Sequence, residues 1–446
     1  MLSEVSLQQA IDEAGSPVNL LWKADPAEHW KPPAPVKPEV TDWRKEQVAP
    51  FLTVGLLDLS YHMFDLVITG PDAVSLLSRH IVNNVEKFDV WQAKQAVCAT
   101  ASGQLIGDAI LMREAADRFV VTGAPVIQNW IKFQGETGKY DVEFEESPSA
   151  DFNPEDPLYF RFQLQGPRAM DVVAATFGGP LPATKFFHSA EAKLDGRVFR
   201  ALRHGMSGQP GYEFIGEYTD YEFVKEAFLR AGDEFGLLEV GSLAYSTNNA
   251  DSGWIPQPLP AIYTDPDLKT YRQWLPALGY EALRPFHGSF FSENIEDYYS
   301  SPHELGYGAF VDYGHDFVGR DALEKAKGDE SLRTKVTLVA NRDDVTDVLG
   351  STQKFVASQG VYRVESAGDL VGLSWSVNTQ IRHDTLLGVA LVDRKFAEPG
   401  TEVEFVWGEH QGPGHHPIDP SLPRIRATVA PAPFDDFARE QYRKSK

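Results

Sequence analysis

One thiol, Cys98, and a histidine cluster, His410, His415 and His416, first invite a chemical reading. A thiolate is a nucleophile and a zinc ligand, and clustered imidazoles can hold a transition metal. Neither reading fits. Cys98 sits in the apolar run Ala96-Val97-Cys98-Ala99, the setting of an inert buried thiol. Without a second cysteine there is no intrachain disulfide and no cysteine zinc site. The histidines flank Gly412-Pro413-Gly414 and read as solvated loop residues, so no metal is expected. The short catalytic motifs are missing too. There is no phosphate loop of the G-x-x-x-x-G-K-S/T type, no H-E-x-x-H and no G-x-S-x-G. Gly306-Tyr307-Gly308 lacks the third glycine of a dinucleotide-binding turn.

The elements that must position any site can be read from periodicity. Residues 2–14 predict a short amphipathic helix, with Leu2, Val5, Ile11 and Ala14 on one face and Gly15 as its stop. A proline-rich arm follows (Pro26, Pro32, Pro33, Pro35, Pro38), and Trp22, Trp30 and Trp43 predict that it lies over the body. Leu66-Val67-Ile68 predicts a strand ended by Gly70, with Pro71 as the first residue of the next helix. Residues 105–112 and 119–121 predict strands and 126–133 a helix. Residues 159–165 alternate Phe160, Phe162, Leu164 with Arg161, Gln163, Gln165 and predict a half-buried strand. Gly-Pro-x-Ala closes a strand at 70–73 and again at 166–169, a weak internal duplication. From 333 to 432, five short β-rich runs separated by Gly and Pro predict a sandwich or barrel. The expected division is an arm (1–45), a body (46–330) and a C-terminal β domain (331–446).

The 446 residues are 42% hydrophobic and 24% charged, which excludes a disordered chain. A net charge of −23 repels a phosphate backbone, so no nucleic-acid partner is expected. The N-terminus has no basic segment leading into an apolar one, and no uncharged apolar stretch approaches about 18 residues. A cytoplasmic protein with no membrane partner is expected.

Ordered segments carry a resemblance over roughly residues 40–400. They are Asp58-Leu59-Ser60-Tyr61-His62-Met63, Gly103-Gln104-Leu105-Ile106-Gly107-Asp108, Phe162-Gln163-Leu164-Gln165-Gly166-Pro167, and the stretch from Leu202 through His204 and Gly211 to Glu213. Ala244-Tyr245-Ser246-Thr247-Asn248, Ser252-Gly253-Trp254-Ile255-Pro256, Asn294 to Tyr299 and Gly314 to Leu323 complete them. Together they resemble the folate-binding T-protein (aminomethyltransferase) family of the glycine cleavage system, more closely its tetrahydrofolate-dependent aryl O-demethylases of the vanillate and syringate type. The resemblance implies an α+β fold: two related α/β segments around a central folate cavity, then a C-terminal β-barrel or jelly-roll domain.

It also implies roles. Glu213 would recognise the pterin, since a carboxylate can accept two hydrogen bonds from the ring amine and N–H. Gln165, Trp254 and Tyr212 are further candidates for tetrahydrofolate. Asp108 matches one of a pair of acids in T-proteins, whereas the other position is Gly107, as suits an ether rather than an amine substrate. His62 and Tyr245 would meet the charge on the departing oxygen, histidine because it titrates near neutrality and tyrosine because it donates without charge. Each is also readable as a packed core residue.

For the aromatic substrate the candidates are Trp30, Lys31 and Tyr61. Vanillate-type members place an arginine and arm tyrosines near the substrate carboxylate. Here those stretches read Thr122-Gly123-Ala124-Pro125 and His29-Trp30-Lys31-Pro32-Pro33, without either. The expected substrate is therefore another methoxybenzoate, syringate-like or chlorinated such as dicamba, and no obligate protein partner is implied. The alternatives are a T-protein-like aminomethyltransferase or sulfonium demethylase, and a non-catalytic folate-binding regulator.

Overall fold

A computed structural model describes residues 5–23, 36–153, 155–284, 286–415 and 418–444. The first helix is Leu7–Ala14. Ser6 and Gln9 form a reciprocal capping box, and Gly15 ends the helix in the left-handed region. Leu7 and Ile11 are buried, but Val5 precedes the helix and is exposed. Trp22 packs edge-on against Phe286 and Phe291, and Trp43 against Phe355. Most of the proline arm, with Trp30, lies outside the described residues.

The strands of the body are β1 (Val54–Asp58), β2 (Phe64–Thr69), β3 (Ala93–Ala99), β4 (Leu105–Arg113), β5 (Arg118–Gly123), β6 (Glu143–Ser147), β7 (Tyr159–Gln165), β8 (Ser189–Leu194), β9 (Arg197–Leu202), β10 (Gly211–Glu217) and β11 (Leu237–Val240). They form a five-stranded sheet, β3-β4-β5-β2-β6, and a six-stranded sheet, β11-β1-β7-β10-β9-β8. The Gly-Pro-x-Ala turns are alike. Gly70 and Gly166 have φ of 148° and 140°, and each carbonyl accepts from the alanine three residues on. A Cβ at either would lie 2.3 or 2.4 Å from a backbone oxygen, of Asp141 and Thr53 respectively. The helices that follow are Ala73–His80 and Ala169–Phe177. Pro71 lies in the turn before the first of them rather than in its first position.

The C-terminal strands are β12 (Thr334–Ala340), β13 (Ala357–Ser358), β14 (Tyr362–Ser366), β15 (Asp369–Gln380), β16 (Thr385–Val392), β17 (Glu402–Val406) and β18 (Arg424–Ala430). Pairing of β15 with β16 closes β15-β14-β17-β18-β12-β16 into a barrel, with β13 on its edge. Val336, Leu338, Val364, Val377, Phe405 and Ile425 fill it. β15 was not expected from the sequence, because its buried polar residues do not form an apolar run. Asn378 donates to Asn249 Oδ1 at 3.1 Å and Gln380 to the Thr247 carbonyl at 2.7 Å, which seals the barrel against the body. Beyond β18 the chain returns to the body through the helix Asp436–Glu440. Arg382 holds it there by pairing with both Asp251 and Asp435. His410 is not a solvated loop residue. It is buried and stacked on Phe291 at 4.6 Å, and its Nδ1 accepts from the Gly412 N–H. Cys98 is buried, and its thiol pKa is pushed up by desolvation.

Candidate active site

Both body sheets, the barrel and the C-terminal segment contribute to one cavity of about 340 Å³. Its lining includes His62, Asp108, Glu213, Tyr245 and Trp254, five of the residues singled out from the sequence.

Glu213 is set by strand register. On β10 it lies opposite Gln163 of β7. Gln163 Nε2 donates to Glu213 Oε2 at 2.6 Å, while its Oε1 accepts the Met206 N–H at 3.0 Å. Arg161, two residues earlier, points the same way. It meets Glu213 Oε1 at 3.4 Å, Asp65 Oδ1 at 2.7 Å and Thr122 Oγ1 at 3.0 Å. The alternation in β7 therefore does not mark a solvent face. Arg161, Gln163 and Gln165 are all buried, forming a polar layer behind the cavity. One arginine against two carboxylates leaves this frame with formal charge −1, which favours an occupant that donates N–H bonds.

Tyr245 lies on the helix Ser242–Thr247. That helix is pinned at its start by Glu46, which accepts the Gly241 N–H at 2.9 Å, and at its end by Gln47, which donates to Thr247 Oγ1 at 2.6 Å. His62 follows β1, and its Nε2 is 2.9 Å from Tyr245 Oη. Burial, reinforced by the Arg161 charge, lowers the His62 pKa to about 4. It is therefore neutral at physiological pH and is not the near-neutral titrating donor expected from its type. Burial also pushes the Tyr245 pKa up, with Glu213 adding to the shift. The pair is a neutral hydrogen-bond relay ending in a phenol.

Asp108, on β4, is half-buried at the cavity wall. Gln95 Nε2 and Trp254 Nε1 donate to its Oδ2, the latter at 3.4 Å. Desolvation raises its pKa to about 6, against the lowering effect of these bonds. At Gly107 a Cβ would lie 3.2 Å from Val126 Cγ1 and 3.4 Å from Ile127 Cγ2, so the helix Val126–Thr137 crowds out a second acid here. Thr122, Gly123, Ala124 and Pro125 also line the cavity.

Three expected contacts lie elsewhere. Tyr61 points behind the sheet, its hydroxyl 2.8 Å from that of Tyr218. Tyr212 is buried beside Phe214 because residues alternate across β10 and its neighbour Glu213 takes the cavity face. Gln165 supports the 204–207 loop from behind, accepting the Ser207 N–H at 2.9 Å. Trp30 and Lys31 lie outside the described residues. Sequence reasoning missed Gln163, Arg161, Tyr307, Lys335 and Arg443. The register of β7 against β10 was a usable signal for the first two. The other three come from distant segments with no motif.

A family model for the GCVT N-terminal domain matches residues 24–256. The chain belongs to the GCVT family. It is 37% identical to syringate O-demethylase of Sphingobium sp. (strain NBRC 103272 / SYK-6), across 99% of this chain and 98% of that one. It is 28% identical to sesamin methylene transferase of Sinomonas sp. (strain No.22), covering 83% and 84%. In fold it is similar to the glycine cleavage system aminomethyltransferase T of Bartonella henselae, with a TM-score of 0.60 at 18% identity over 97% and 98%. The GCVT match begins in the arm and ends just past Trp254, so it spans all eleven strands of the body. Among the described residues no helix is long and apolar enough to cross a membrane, and no three His, Cys, Asp or Glu side chains gather as a metal-ligand set.

Proposed function

We propose that this GCVT-family protein transfers a methyl group from an aryl methyl ether to N5 of tetrahydrofolate, releasing a phenol and 5-methyltetrahydrofolate. The observation that carries the reading is the His62–Tyr245 pair, a half-buried neutral donor at 2.9 Å, in the cavity that also presents Glu213. The full-length similarity to a syringate O-demethylase supports the same substrate class.

The cavity's chemistry fits a reduced pterin. Glu213 is a fixed carboxylate able to accept two N–H bonds, and His204 Nδ1, also at the cavity, is buried without a partner among the described residues. Tetrahydrofolate would supply the nucleophilic nitrogen. The C–O bond of the ether breaks as the N–C bond forms, and the N5 proton balances the one gained by the phenolate. Holding the two reactants in line removes about 7–11 kcal/mol of barrier in favourable cases. Tyr245 would donate its O–H to the ether oxygen as charge grows there, while His62 Nε2–H donates to Tyr245 Oη. Because burial raises the Tyr245 pKa, its role is to stabilise that charge by a hydrogen bond rather than to give up its proton fully.

The wall at Thr122 to Pro125 has no arginine. This favours a methoxybenzoate other than vanillate, syringate-like or chlorinated such as dicamba. The test is incubation with tetrahydrofolate and a panel of methoxybenzoates, with sulfonium donors and aminomethyl intermediates alongside. Phenol and 5-methyltetrahydrofolate formed together support the reading. Product only from the other donors, or folate binding without product, overturns it.

A further inference from the structure

Lys335 and Arg443 line the cavity from segments far apart in sequence, β12 of the barrel and the C-terminal segment. We propose that they form an anion-recognition end of the cavity that binds the carboxylate of one of its small molecules. This rests on the function proposed above, since both a folate and an aromatic acid carry a carboxylate.

The first support is charge. The chain carries −23, so a carboxylate entering its interior needs local positive potential. The second is that neither cation is tied up in an ion pair among the described residues. Among the described residues no carboxylate lies within ion-pairing distance of Lys335 Nζ or the Arg443 guanidinium. By contrast, Arg161 and Arg382 each hold two carboxylates. The third is the frame. Lys335 Nζ lies 5.9 Å from the Tyr307 ring centre, and Arg443 lies 5.8 Å from Phe310 and 5.9 Å from Phe186. Tyr307 and Phe310 stack on each other at 5.7 Å. Aromatic faces hold the cations in place while leaving their N–H donors uncommitted.

Burial, together with the Arg443 charge, lowers the Lys335 pKa to about 8, although Asp108 acts to raise it. Arg443 disfavours the charged form of Lys335, so an anion arriving beside both is favoured.

Calorimetry on the full chain tests this with K335M, R443M and K335R. Two ligand pairs are used: tetrahydrofolate against 6-methyltetrahydropterin, and a methoxybenzoate against the matching methoxybenzyl alcohol. K335M and R443M are each expected to weaken one charged ligand about ten-fold, or 1.4 kcal/mol, and to leave its neutral analogue unchanged. K335R should restore most of the loss. The pair that responds identifies whose carboxylate is bound. Arg443 lies outside every sheet and helix, so R443M decides the matter if K335M does not fold. Charged and neutral ligands weakened equally, or not at all, overturn the anion site alone. Wild-type protein that binds no reduced folate overturns the function and this site together.

Discussion

Replacing Arg161 by methionine removes the cation that pairs with Asp65 and Glu213 in the frame beneath Glu213. The side chain is 3% exposed and makes three polar contacts: 2.7 Å to Asp65, 3.0 Å to Thr122 and 3.4 Å to Glu213. A short charge-assisted bond contributes about 1.5–3 kcal/mol, and the longer ion contact and the hydroxyl bond about 1 kcal/mol each. The total, about 4 kcal/mol, falls within the ~3–5 kcal/mol expected when a buried pair loses one partner. R161M would leave Asp65 and Glu213 desolvated and uncompensated. The measurement is denaturant unfolding of wild type and R161M at pH 7.5. A loss of about 4 kcal/mol is expected, and a loss under about 1 kcal/mol refutes the reasoning.

Removing the Tyr245 hydroxyl (Y245F) should slow single-turnover methyl transfer about a hundred-fold, the effect of deleting one donor to developing charge, with folate affinity unchanged. H62A should act in the same direction, and wild-type turnover in both variants would exclude the pair. E213Q should weaken tetrahydrofolate binding by at least about ten-fold in calorimetry, because an amide offers one acceptor where the carboxylate offers two. Asp108 is charged only above about pH 6 and Lys335 only below about pH 8. With Trp254, Tyr307 and Arg443 as their other neighbours, kcat/KM should fall on both sides of that window. D108N should remove the acidic limb, and an unchanged profile in D108N would rule out this assignment.

Much of the body was legible because its signals are local. The strand at 159–165 and the helix at 73–80 follow from spacing alone. The duplicated Gly-Pro-x-Ala turn was visible because only glycine fits there. The failures share a physical cause. Arg161, Gln163 and Gln165 read as a wet face because polar alternation cannot distinguish solvent from a buried polar frame. β15 was missed for the same reason, its Ser374, Ser376, Asn378 and Gln380 facing another part of the protein rather than water. His410 was read from its loop, although its place is set by stacking on Phe291. Lys335 and Arg443 meet only through the tertiary fold.

The wall made by Thr122 to Pro125 belongs to the five-stranded sheet, whereas Gln163 and Glu213 belong to the six-stranded one. Substitutions in the loop after β5 could thus alter which aromatic donor is admitted without disturbing the strand pairing that fixes Glu213. Thr122 accepts from Arg161, which in turn meets Glu213, so the separable part of the wall is Ala124 and Pro125, and through them a lineage can change its diet while its methyl acceptor stays the same.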